Sequence, residues 1–158
     1  MAEEEIQDFQ ALCACIGIVV VNWALAQQSL DMIVSVIYDQ CGGSTIMNDK
    51  PWALKRKIKF LKLAFKQFVV LQPYAEQGIT ILDSLIAISE KRHNLVHGVV
   101  TGINLEDGIF PIEKFDYRIN TLEKIQFDPK AFPELAQDLV DLGKTITQFG
   151  HALELRLR

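Results

Sequence analysis

Apolar side chains recur along this chain at helical spacing over four stretches, and the spacing lapses between them. From Glu3 to Cys41 there is no proline and one glycine, Gly17. Phe9, Leu12, Ile16, Val20, Trp23, Leu30, Val34 and Ile37 form one stripe, while Ile18, Val21, Leu25, Met32 and Val36 cover the opposite side. A long helix that is apolar on both sides is expected to be covered on both, by its own bundle or by a second subunit. Glu3, Glu4 and Glu5 suit the positive end of its dipole, and Gly42 with Gly43 should end it. A loop from Gly42 to Lys50 leads to Pro51, a favoured first helical residue, after which Leu54, Ile58, Leu61, Phe65 and Phe68 predict a second helix. Gln72, Pro73 and Tyr74 interrupt the chain before a third, from about Ala75 to about Val100.

After Gly98 the period changes. Val99 to Leu105 and Ile109 to Ile119 read as extended segments around Asp107 and Gly108, a hairpin signal, and Leu122 to Phe127 reads as a third strand. Asp128 and Pro129 open a last helical region whose stripe is Leu135, Leu139, Leu142, Ile146, Phe149 and Leu153. The pattern predicts a mainly α protein. It forms one domain over residues 1–158, a bundle of about four helices with a small antiparallel hairpin or meander at about 99–127.

Composition fits a packed globular chain, with 49% hydrophobic and 23% charged residues. The net charge of −4 gives no general attraction for nucleic acid, so any RNA contact must come from a local patch. Cys13, Cys15 and Cys41 lack zinc-ligand spacing and read as reduced core thiols. The apolar run from Ile16 to Ala26 contains Asn22 and is short for a bilayer, and three early glutamates are the wrong charge for a secretory signal. A soluble cytoplasmic protein without membrane contact is the expectation. The dense basic region is the second helix, with Lys55, Arg56, Lys57, Lys59, Lys62 and Lys66. It reads either as a solvated face or as a phosphate-tracking surface in which Lys55, Arg56, Lys59 and Lys62 would touch RNA.

The third helix holds the candidate chemistry. Ile79, Ile81, Leu82, Leu85, Ile86, Ile88, Leu95 and Val96 cover a broad apolar arc, and Arg92, His93 and His97 fall inside it, whereas Asn94 falls on the polar side. Ionisable groups so placed mark functional sites more often than average. Their bland alternatives are a core-edge ion pair for Arg92 and a helix-end charge for His97; His151, alone on the last helix, reads as structural. No Gly-rich phosphate loop, nucleophile elbow or metal-ligand cluster stands in the chain, so no metal or cofactor is expected. Histidine can move a proton at neutral pH and arginine can grip a phosphate, which together suit phosphodiester cleavage. On an ideal helix Arg92 and His97 lie about 140° apart and about 7.5 Å along the axis, so they converge more readily across a two-fold axis than on one helix.

Arg92, His93 and His97, followed by Gly98, resemble the signature of the HEPN superfamily, in which an arginine, often followed by a polar residue, precedes a histidine by four to six residues. Family members are helical bundles carrying the motif near the end of a late helix, and the small stand-alone prokaryotic ones look most similar. The resemblance implies a metal-independent endoribonuclease of a toxin or defence type, its site assembled by a homodimer, with a cognate antitoxin as a further possible partner. Arg92 would bind phosphate, His97 would act as general acid or base, and His93 would orient either one. The chain departs from the pattern at Val99, where members silenced by a nucleotidyltransferase often carry tyrosine, which puts that form of control in doubt. The competing reading is a noncatalytic HEPN-like dimeric module that binds RNA, a nucleotide or a protein.

Overall fold

A computed structural model describes residues 3–101 and 109–158. The described residues form four α-helices and a small antiparallel sheet: α1 (Glu3–Cys41), α2 (Leu54–Gln67), α3 (Ala75–His97), β1 (Val99–Val100), β2 (Phe110–Asp116), β3 (Thr121–Phe127) and α4 (Phe132–Leu157). The sheet order is β1-β2-β3, so the sheet lies between α3 and the last helix, as the change of period predicts. The expected turn at Asp107 and Gly108 lies outside the described residues. Two compact units divide the chain, one made of residues 1–22 and 87–139, the other of 23–86 and 140–158.

The second unit is helical. Phe65 of α2 meets Phe149 of α4 with ring centroids 6.0 Å apart, Tyr38 of α1 meets Phe60 of α2 at 5.7 Å, and the hydroxyls of Ser29 and Thr147 join α1 to α4 at 2.8 Å. Gly78 lets α3 approach Phe65, because a Cβ there would come within 2.5 Å of the ring. Two expectations about α2 change. Pro51 is buried but precedes the helix, whose first turn begins at Leu54 after an extended Ala53, while the neighbouring Trp52 is exposed. The buried stripe runs through Lys57, Phe60, Leu61, Ala64 and Phe65, leaving Leu54, Ile58 and Phe68 half-buried. Lys57 enters that stripe because it forms an ion pair with Asp31 of α1. Between α2 and α3, Val69–Tyr74 form a 3-10 turn that contains Pro73.

In the first unit, β2 and β3 pair over seven residues from Phe110↔Phe127 to Asp116↔Thr121. Alternation puts Phe110 and Ile112 on the inner face, both buried, with Ile125 and Phe127 beside them. The outer face carries Phe115 opposite Leu122, both exposed, and Glu113 paired with Lys124 at 3.6 Å. The predicted strand to Ile119 stops at Asp116, because residues 117–120 form the turn, with Asn120 at φ 52°. All six residues of the predicted α4 stripe are buried.

α1 is one unbroken helix of 39 residues with the predicted bounds. Its buried side is Leu12, Val19, Trp23, Ala26, Leu30, Ile33, Val34 and Ile37, whereas Phe9 and Val20 of the predicted stripe are exposed and Ile16 is half-buried. Among the described residues most of the opposite side is uncovered: Ile18, Val21, Leu25 and Met32 all face outward, whereas Val36 is half-buried. The apolar stretch is longer than Ile16 to Ala26, since Phe9–Cys41, whose most apolar 18-residue window has a mean hydropathy of 2.0, is long and apolar enough to cross a membrane. Core helices of soluble proteins share that property. The three cysteines are free and are not core thiols: Cys13 is exposed, and Cys15 and Cys41 are half-buried, which pushes both thiols up in pKa.

Candidate functional site

The end of α3 is set by packing. Gly98 closes the helix by donating its N–H to the Asn94 carbonyl at 3.1 Å, and the chain turns at once into β1, where Val99 faces Glu113 and Val100 faces Ile112. A side chain at 98 would run into Ile112, so β2 lies directly against the last turn of α3.

The buried arc of α3 is Ile81, Leu82, Leu85, Ile88 and Leu95, and Arg92 falls in the middle of its directions. Arg92 is half-buried, its Nε is shielded from solvent, and the residue interacts with others in the protein. His93 and His97 correct the expectation that all three sit inside the arc. They lie at its edge, in the directions of the exposed Ile79 and half-buried Ile86, and both are exposed. One turn apart, their rings are in tilted contact, with centroids 4.7 Å apart and planes inclined by 48°. Asn94, expected to meet water, is half-buried and lines a cavity of about 330 Å³ on the other side of α3, with Leu95, Ile112 and Leu135 among its walls.

One cation escapes sequence reasoning. Lys114 follows Phe110 and Ile112 on the inner face of β2. From Ile112 it is two residues along the strand, about 6.8 Å, while His93 is five residues back from Gly98, about 7.5 Å along the helix. The charge of Lys114 is felt at the His93 ring. Partial burial, then the charges of Lys114, His97 and Arg92, hold the His93 imidazole below the ordinary histidine pKa and favour its neutral form. Lys114 stands opposite Glu123 in the strand register, and its charge also helps hold the Asp116 carboxyl below the ordinary carboxylate pKa. The signal was present in the sequence as a lysine in phase with two buried hydrophobics, but it needs the strand register to be read.

The structure thus keeps His93 and His97 together at the exposed edge of the α3 terminus, within reach of the charges of Arg92 and Lys114, while Arg92 itself points into the buried arc. Lys55, Arg56, Lys59 and Lys62 are not on these elements; they line α2 in the second unit, and Lys62 is held by Asp83 at 2.8 Å. Lys55, Arg56 and Lys59 are exposed, which suits a solvated face. His151, on α4, is exposed and lies 3.9 Å from Glu154. Compared with protein families, curated proteins and solved structures, the chain matches none.

Proposed function

We propose that this protein is an endoribonuclease of the HEPN type that cleaves RNA by arginine and histidine chemistry without a metal. The observation that carries the reading is the exposed pair of His93 and His97, in ring contact and within the field of two cations, Arg92 and Lys114. A phosphodiester arriving here meets positive charge for its non-bridging oxygens, which gain negative charge in the transition state. His97 removes the proton of the ribose 2′-hydroxyl or protonates the leaving 5′-oxygen, and His93, kept towards its neutral form, accepts a hydrogen bond and orients its neighbour. Arg92 is set back from the two rings, which fits a site completed by a second copy of the chain.

The test is cleavage of single-stranded RNA by purified protein in the presence of a chelator. His97→Ala should abolish cleavage while leaving the molar mass and circular dichroism unchanged, and Arg92→Ala should lower it by on the order of 100-fold. Saturable RNA binding without turnover in any condition would favour the noncatalytic binding module instead. Cleavage by His97→Ala at the wild-type rate would remove the proposal.

A further inference from the structure

The outward side of α1 has a spacing of its own. Ala14, Ile18, Val21, Leu25, Gln28 and Met32 follow one another at intervals of 4, 3, 4, 3 and 4 residues, the repeat by which one helix packs along another. Every one of these positions is exposed, and Ile18, Val21, Leu25 and Met32 remain 44%, 60%, 56% and 51% accessible. Between Phe9 and Leu30 the chain contains no charged residue at all. Gly17 and Ala24 flank the seam, and a Cβ on Gly17 would meet nothing within 4 Å, so a second helix has room to approach.

We infer that this seam is a self-association surface on which α1 of a second copy of the chain packs antiparallel. Self-complementarity favours the second copy: an uncharged apolar strip placed against itself meets no like charge and leaves no ion unpaired, as a two-fold interface requires. Ile18, Val21, Leu25 and Met32 leave about half of their surface open to a partner, along roughly 27 Å of helix from Ala14 to Met32. Direction follows from size and charge. Around an axis level with Trp23, antiparallel pairing sets Val21 against the partner's Leu25, Ile18 against its Gln28 and Ala14 against its Met32, so small meets large. Parallel pairing would stack Met32 on Met32, leave Ala14 facing Ala14, and bring together the N-terminal glutamates and the like ends of two helix dipoles. The assignment rests on α1 alone; the site at Arg92 to His97 also calls for a second copy, and the cysteine pairing tests the α1 seam separately from cleavage.

Light scattering on the size-exclusion eluate at micromolar concentration should give the mass of a dimer. Val21→Glu and Leu25→Glu should each raise the dissociation constant by on the order of 100-fold or more with unchanged circular dichroism. In a background with Cys13, Cys15 and Cys41 replaced by serine, mixing Val21→Cys with Leu25→Cys chains under mild oxidation should yield the mixed disulfide, and Val21→Cys alone should not cross-link. The mixed disulfide keeps the assignment testable if a glutamate variant fails to fold. A monomeric wild type, an intact dimer in both glutamate variants, or self-cross-linking of Val21→Cys without the mixed product would overturn it. So would a monomer that floats with phosphatidylcholine vesicles, since the strip would then face lipid.

Discussion

At Gly98 the absent side chain is what seats β2 against α3: a Cβ would collide with Ile112 and come within 2.8 Å of the Asn94 carbonyl oxygen. Gly98→Ala should therefore destabilise the protein by about 1–3 kcal/mol, read as a lower urea midpoint, because neither neighbour is a flexible side-chain end. Gly143 in α4 is the contrast. Nothing lies within 4 Å of its Cβ position, so Gly143→Ala should be stabilising by about 0.5–1 kcal/mol through helix propensity and chain entropy. Beside Gly98, Lys114 acts on His93 through its charge. Replacing it by glutamine removes a cation that disfavours the imidazolium, so the His93 titration midpoint followed by NMR should move up, towards the ordinary histidine value. A midpoint left where it was would show that the strand does not carry Lys114 to that ring.

Helices were legible in the sequence where apolar spacing and helix breakers agree. Glu3–Cys41 has its predicted bounds, and the α4 stripe is buried in full; each is long, with glycines after α1 and prolines at the start of α4. The edges of the apolar arc on α3 were not legible, since hydrophobicity alone cannot say which of Ile79, Ile81 and Ile86 a neighbour covers; His93 and His97 share the uncovered directions. Lys57 was counted with a basic surface for the same reason. Its aliphatic stem packs in the α2 stripe and its ammonium is held by Asp31, whose own side chain is largely exposed. Removing the acid leaves a buried cation uncompensated, so Asp31→Ala should cost about 1–3 kcal/mol in thermal or urea unfolding. Lys57→Met, which removes the charge and keeps the stem, should be close to neutral.

For the molecule as a whole, the net charge of −4 means that RNA is not drawn in by the general field. On the proposed reading, affinity for RNA depends on the few cations at the α3 terminus, and the dependence on salt counts them. With Arg92 and Lys114 each engaging one phosphate of a single strand, log K should fall with log[salt] at a slope of about −1.4, and Lys114→Gln should flatten it by about 0.7. A steeper slope that loses about 0.7 with each of Lys55→Gln and Lys59→Gln would instead assign the RNA to α2.

The two tryptophans divide between opposite environments: Trp23 is 5% accessible, on the inward side of α1, and Trp52, just ahead of α2, is 79% accessible. Their fluorescence is therefore separable. Trp52 should be quenched by iodide in the native state and emit to the red, whereas Trp23 should be protected and emit to the blue until the helix core opens. Because Trp23 lies level with the proposed two-fold axis but on the other side of the helix, its emission should follow unfolding and stay indifferent to dilution. In a Trp52→Phe variant the chain thus carries its own optical probe of folding, one that separates loss of structure from loss of a partner without a label.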